Sequence, residues 1–283
     1  MSKQTGSKLN RLPALLDEGL LAPTSWLEGN GYSRANLRGY VARGWLDSPA
    51  RGVYRRPGPP LKWQHVVASL QLLAETRWHI GGRTALVERG FGHYVTMKGP
   101  EPIFLYGPRP LPSWVNRLGL KENLVARTDA MFASLRVSKN ARGGALKPRG
   151  NPVAPARLLE LGLREEAWGA WDWKLRFSSD ERAIMEFLQD VPARASIYDA
   201  DLFMQSLVSL RPAIVSRLLR ACASVKVKRL FLALGERQGS AWFKRLDLAR
   251  VDLGKGKRML VAGGKLHTTY LITLPADLDD HAR

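Results

Sequence analysis

One short segment, Ser33 to Arg43, has the residue types and the spacing needed to read nucleic acid. Ser33 is placed to cap a helix and Gly44 to stop it. At 100° per residue, Leu37, Tyr40 and Val41 define a buried side. Ala35, Gly39 and Ala42 then lie opposite, flanked by Asn36, Arg38 and Arg43. A face that is small in its middle lets a helix backbone approach the floor of a major groove. Arg then reaches toward guanine O6 and N7, and Asn toward adenine N6 and N7 or a phosphate. Ser33 and Arg34, at the helix N-terminus, are placed for first base or phosphate contacts beside free N–H groups. Arg51, Arg55 and Arg56 follow in a segment better suited to phosphates or a minor groove. The competing reading is a small solvated helical hairpin with ordinary surface arginines.

A second basic centre lies near the other end of the chain, where residues 225–265 hold 11 basic and 3 acidic residues. Lys226, Lys228 and Arg229 are expected on the outer face of a late helix, with Arg237, Lys244, Arg245, Lys255, Lys257 and Arg258 beyond them. This density exceeds what solubility asks for. Trp242 and Phe243, interleaved with the cations, are candidates either for stacking on bases or for the core.

Signatures of catalysis are sparse. The chain has no G-x-x-x-x-G-K-[ST], no G-x-G-x-x-G after a strand and no G-x-S-x-G. Gly239-Ser240 with Asp247 and Asp252 faintly resembles the Gly-Ser and paired acids with which nucleotidyltransferases hold two Mg²⁺ ions. Such transfer needs converging carboxylates, and Asp247-Leu248-Ala249 lacks the second acid. A degenerate nucleotidyltransferase or nuclease delivered by a DNA-binding module is thus the alternative to a non-enzymatic role. Trp168, Trp171 and Trp173 suggest packing between elements before they suggest a ligand cage. The single Cys222 and five scattered His residues offer neither a disulfide nor a zinc site, so no metal or cofactor is expected.

Certain elements must hold these residues. Leu9, Leu12, Leu15 and Leu16 mark a first helix, and Thr24 is a candidate cap for a second that carries Trp26 and Leu27. After the Ser33 helix, Trp45-Leu46 and Gly52 to Arg56 read as two short strands around a turn containing Pro49. Helix, helix, capped helix and hairpin in that order predict a winged helix-turn-helix. Beyond Pro57-Gly58-Pro59-Pro60, helical spacing over Trp63 to Leu73 leads to a strand ahead of Gly81-Gly82, a short helix at Thr84 to Glu88, a strand at Ile103 to Tyr106 and a helical Ser113 to Leu118. Ser138 to Pro152, rich in Gly, Lys, Arg, Asn and Pro, reads as an exposed arm. Further on, Ser178-x-x-Glu181 suggests a capping box, Pro212 a helix start, and Val227, Leu230, Phe231 and Leu234 a buried stripe. Met259 to Val261 and Tyr270 to Leu274 read as terminal strands.

The expected fold class is therefore α+β: a winged helix-turn-helix in residues 1–97, then a mixed, largely helical domain with short strands in 98–283. A length of 283 residues suits two such units. The net charge of +19 and a pI near 10.5 favour an anionic partner, nucleic acid before membrane. No apolar run approaches the roughly 20 residues that span a bilayer, and the first ten residues lack a signal-peptide core, so a cytoplasmic location is expected.

Taken together, Ser33-Arg34 through Trp45-Leu46, Gly52 to Gly58 and His79-Ile80-Gly81-Gly82-Arg83-Thr84-Ala85-Leu86 resemble the N-terminal domain of the AbiEi family, the antitoxins of type IV toxin-antitoxin systems. Val227 to Phe231, Ala241-Trp242-Phe243, Asp247, Gly256-Lys257-Arg258 and Gly263 to Leu266 resemble the family's C-terminal antitoxin domain. The resemblance spans nearly the whole chain. It implies a repressor whose winged helix binds inverted repeats in its own promoter, two copies of a solution monomer engaging the repeats with positive surface on both domains. It also implies a C-terminal domain that counters a nucleotidyltransferase-like toxin without forming a stable complex with it, as part of phage resistance.

Overall fold

A computed structural model describes residues 8–73, 78–92, 101–107, 110–135, 155–278 and 280. The Ser138 to Pro152 segment and the proposed division at residue 97 lie outside them. The N-terminal elements are α1 (Lys8–Leu15), β1 (Ala22–Pro23), α2 (Thr24–Gly29), α3 (Arg34–Ala42), β2 (Asp47–Ala50) and β3 (Val53–Arg55). Leu12, Leu16, Leu27, Leu37, Leu46 and Val53 are buried together between them. The strands form an antiparallel sheet in the order β1-β3-β2. Helices and hairpin follow the predicted order of a winged helix.

Two local expectations are not met. Pro49 is not in the wing turn: it sits within β2, where a register irregularity between Asp47 and Ala50 absorbs it. The turn is Arg51-Gly52, and Gly52 takes φ 77°, a left-handed conformation that suits glycine. Thr24 does not cap α2, whose N-cap is Pro23. Its hydroxyl donates instead to the Gly52 carbonyl at 3.1 Å, tying the helix to the wing turn. β1, two residues paired Ala22↔Tyr54 and Pro23↔Val53, has no periodic signal to announce it.

The rest of the chain is built on a mixed five-stranded sheet. After α4 (Trp63–Leu72) come β4 (His79–Ile80), α5 (Gly82–Glu88), β5 (Ile103–Gly107), β6 (Leu124–Thr128), α6 (Pro155–Glu160), β7 (Leu163–Trp168), β8 (Trp173–Ser178) and α7 (Asp180–Asp190). The strand order is β6-β5-β4-β8-β7, with β5–β6 and β4–β8 parallel. The sheet thus draws strands from both sides of residue 97. Gln71 ties α4 to it, donating to the carbonyls of Trp78 and Arg176 and accepting from the Arg176 N–H. Trp168 and Trp173 close the β7–β8 hairpin as a register pair and pack edge-on to His65, at ring separations of 4.9 and 5.9 Å. They are packing residues, while Trp171, at the hairpin tip, is exposed. Ser113 to Leu118 contains a 3₁₀ turn at Val115–Arg117 rather than an α-helix.

Helices α8 (Ile197–Ser206), α9 (Pro212–Ala221) and α10 (Val225–Gln238) pack on α7 and on one another. Pro212 opens α9 as expected, and Val227, Leu230, Phe231 and Leu234 are all buried. A terminal hairpin of β9 (Lys265–His267) and β10 (Ile272–Leu274) completes the fold. Met259 to Val261 is not a strand; the ladder there is reduced to one bridge, Arg258↔Ile272.

The expected capping box at Ser178 is also corrected. Ser179 is the N-cap, Glu181 accepts three bonds from Arg211, and the Ser178 hydroxyl donates at 2.7 Å to Glu186. Glu186 is the centre of a buried ionic cluster. It also takes bonds from Arg182 (2.7 Å), His79 (2.9 Å) and the Gly82 N–H (3.1 Å). A Cβ at Gly81 would stand 2.2 Å from the same carboxylate, and one at Gly82 would stand 2.6 Å from the Tyr106 hydroxyl, so neither position has room for a side chain. Burial alone would raise the acid, but His79, Arg182 and Ser178 outweigh it and hold Glu186 at about 2.

Candidate nucleic-acid interface

α3 is fixed at its start by Ser33, whose hydroxyl accepts from the Asn36 N–H at 3.2 Å. Leu37 and Tyr40 are buried, whereas Ala35, Arg38, Ala42 and Arg43 are exposed, so the small-centred face points outward as its periodicity requires. Asn36 is corrected in part. Its Oδ1 accepts from the N–H of Ser33 (3.1 Å) and from the Ser33 hydroxyl (2.8 Å), closing a capping box. Two-point pairing with adenine needs both ends of the amide, and here one end is committed to the cap. Arg34 is exposed but pairs with Glu28 at 2.9 Å, a surface contact weak enough for a phosphate to replace.

On the wing, Arg51 occupies the exposed turn and Arg56 is half-buried. Arg55 is not a free wing cation. Its side chain is 13% exposed; Nη1 donates to the Pro59 carbonyl at 2.8 Å and the guanidinium forms an ion pair with Asp47 at 3.3 Å, so it braces the base of the hairpin. An arginine that sequence reasoning did not select lies beside the wing: exposed Arg117 donates from Nη2 to the Arg51 carbonyl at 3.3 Å. The 66 residues between them leave no local signal for that pairing.

The distal centre separates into two groups. Arg229 is 2% exposed and donates to the carbonyls of Leu253, Gly254, Gly256 and Leu271 at 2.6–3.1 Å. It staples α10 to the following loop and is not on an outer face. Lys228 is likewise buried. Lys226 donates to Gln189 and Val191 carbonyls, both at 2.6 Å, and burial pushes its ammonium pKa down. Arg237 pairs with buried Asp201 at 3.3 Å. Helical spacing places Lys226, Lys228 and Arg229 on the exposed side because the segments that engage Lys226 and Arg229, residues 189–191 and 253–271, are distant in sequence.

Trp242 is core, its indole N–H donating to the Leu207 carbonyl at 2.9 Å, and Phe243 is half-buried with its ring edge-on to it. Gly235 makes room for both, since a Cβ there would lie 2.9 Å from Phe243 and 3.0 Å from Trp242. Lys244, Arg245, Lys255, Lys257 and Arg258 remain exposed, joined by Arg250. Asp247 pairs with Arg220 at 2.9 Å and accepts from the Ala249 N–H, while Asp252 accepts from the Gly254 N–H. Each acid thus closes its own turn. Among the described residues no cluster of His, Cys, Asp and Glu is arranged to hold a metal, and no helix is long and apolar enough to cross a membrane.

With this geometry in place, comparison with known proteins is informative at both ends of the chain. Residues 5–97 match a family described as transcriptional regulator, AbiEi antitoxin N-terminal domain. Residues 165–275 match one described as transcriptional regulator, AbiEi antitoxin, type IV toxin-antitoxin system. No curated protein sequence matches significantly. The fold is similar to that of the RV2827C protein from Mycobacterium tuberculosis, seen in its crystal structure, with a TM-score of 0.53 at 16% identity over 96% of this chain and 92% of that one. The two matched segments cover the winged helix together with α4, β4 and α5, and most of the distal region from β7 to β10. The chain belongs to the AbiEi family of transcriptional-regulator antitoxins of type IV toxin-antitoxin systems.

Proposed function

We propose that this antitoxin binds double-stranded DNA through α3 and the wing, and represses its own operon at inverted repeats in the promoter. The observation that carries the reading is the outward face of α3, with Ala35 and Ala42 between exposed Arg38 and Arg43, next to a wing turn that presents Arg51. A face of that shape admits the helix backbone to a major groove, and the wing cation then meets the flanking phosphates. The protein is a monomer in solution, and two copies occupy the repeats. The exposed distal cations Lys244, Arg245, Lys255, Lys257 and Arg258 serve the antitoxin role, countering a nucleotidyltransferase-like toxin without a stable complex; the protein is not itself an enzyme.

Fluorescence anisotropy against the protein's own upstream DNA tests the first half. Arg38→Ala is expected to weaken specific binding by about 1–3 kcal/mol. Arg51→Ala is expected to weaken binding to all sequences and to reduce the salt slope by about one unit. Equal affinity of the wild type for operator and scrambled duplex would overturn the reading. Growth rescue in toxin co-expression tests the second half: charge reversal at Lys255, Lys257 and Arg258 should abolish it while leaving the melting temperature unchanged.

A further inference from the structure

The end of α3 holds an arrangement that its sequence does not advertise. Gly44 takes φ 71° and turns the chain back, so that the Trp45 N–H reaches the Tyr40 carbonyl at 2.9 Å and the indole packs 5.6 Å from the Tyr40 ring. Trp45 is nonetheless 41% exposed. The Arg43 guanidinium lies over this indole, 5.5 Å from its centroid, and its Nη1 points at the Gly39 carbonyl 3.5 Å away. Arg43 therefore does not project from the helix end. It lies back one turn, as helical side chains lean toward the N-terminus, and places its charge over residue 39 in the middle of the outward face. A Cβ at position 39 would stand 3.1 Å from Nη1, so any side chain there would displace the guanidinium by a few tenths of an ångström.

The geometry points to Arg43, held between Trp45 and the Gly39 backbone, as the side chain that selects guanine at one position of each half-site. The inference rests on the winged-helix reading above and assigns one guanine contact in each half-site to one residue. A guanidinium held in place loses little freedom on binding, and two of its parallel N–H groups match the O6 and N7 acceptors of guanine. Arg38, which has no such platform among the described residues, is left to adapt to phosphate or base. Trp45 and Gly39 are positioning residues: one holds the cation from the side and the other leaves it room.

The test is an anisotropy titration of the full-length protein on upstream duplexes in which each guanine in turn is replaced by 7-deazaguanine, which lacks the N7 acceptor. Wild type should lose about tenfold or more at one guanine per half-site. Arg43→Ala should lose a similar factor on the unmodified duplex and nothing further at that guanine. Trp45→Leu should reduce discrimination between operator and scrambled duplex while leaving scrambled-duplex affinity unchanged. Gly39→Ala should show an equal or higher melting temperature, since alanine favours helix, together with reduced discrimination. Two results would each overturn the assignment: Arg43→Ala keeping wild-type sensitivity at every guanine, or Trp45→Leu keeping full discrimination. Loss in Gly39→Ala alone would mean that the glycine serves close approach to the groove and not Arg43. Wild type with no operator preference would overturn the winged-helix reading itself, and this assignment with it.

Discussion

Arg182 and Glu186, one turn apart on α7, form an ion pair of 2.7 Å with both side chains at most 5% exposed. It links the two matched segments. Glu186 also receives His79 and the Gly82 N–H from the N-terminal matched segment, and Arg182 donates to the Leu161 carbonyl at 2.8 Å while its guanidinium lies over the Phe132 ring. Removing the acid would leave a buried guanidinium and three other donors without their acceptor. Glu186→Ala should therefore cost on the order of 3–5 kcal/mol in urea denaturation. A cost under about 1 kcal/mol would show that the cluster is not a support of the fold.

The same cluster sets an acid limit. Glu186 titrates at about 2 in the folded protein against an ordinary 4.5, so its contribution is complete above 4.5 and is lost as pH falls toward 2. Burial, with Arg182 nearby, pulls the His79 pKa below its usual 6.5. The unfolded chain therefore takes up a proton there first, and this adds to the loss below that pH. Both groups bind more protons unfolded, so the denaturation midpoint should fall steadily from pH 7 to pH 3. A flat profile over that range would contradict the two shifts.

Ser33 is the next test, because it joins stability to recognition. Ser33→Ala removes the hydroxyl from the capping box at the start of α3, and should cost about 1 kcal/mol of stability. Operator affinity should drop further than scrambled-duplex affinity, since the fraying turn carries Arg34 and Ala35. Circular dichroism melts and anisotropy on both duplexes would check it.

Within the distal basic segment, two arginines 29 positions apart should behave oppositely. Arg229→Ala removes four hydrogen bonds donated by a side chain that is 2% exposed and should destabilise by several kcal/mol, since bonds from a charged donor are the stronger ones. Arg258→Ala removes an exposed side chain and should leave the melting temperature within a degree or two. Wild-type stability in Arg229→Ala would show that the staple is dispensable.

How much of this was legible in the chain depends on how local each signal is. Ser33 and Gly44 bracket α3 within eleven residues, and Pro212 and the stripe from Val227 to Leu234 act within single helices, so periodicity and caps found them. Thr24 and Ser178 do not form the expected caps because their hydroxyls donate to Gly52 and Glu186, and Arg55 meets Pro59 and Asp47, partners that helical phase does not announce. Arg229 shows the limit most clearly. Charge and helical phase both placed it outside, and only the loop around Leu253 to Gly256, folded back over α10, makes it the most enclosed cation of its segment. The two-residue β1 falls below any alternation that could announce it, whereas the equally short β4 is marked by the run into Gly81-Gly82.

β4 has a consequence for how such a protein can be divided. His79 and Ile80 lie inside the first matched segment, yet they pair with Tyr106 and Leu105 on one side and with Phe177 on the other. A fragment ending at residue 97 would keep this strand and lose both neighbours, exposing two backbone edges and the donors that now meet Glu186. The end of the matched segment is thus not a break in the sheet. A separable reading head would have to end near Leu73, before the chain enters the sheet. Exchange of heads between relatives would be constrained to carry, or to match, the two residues that lock into the other half.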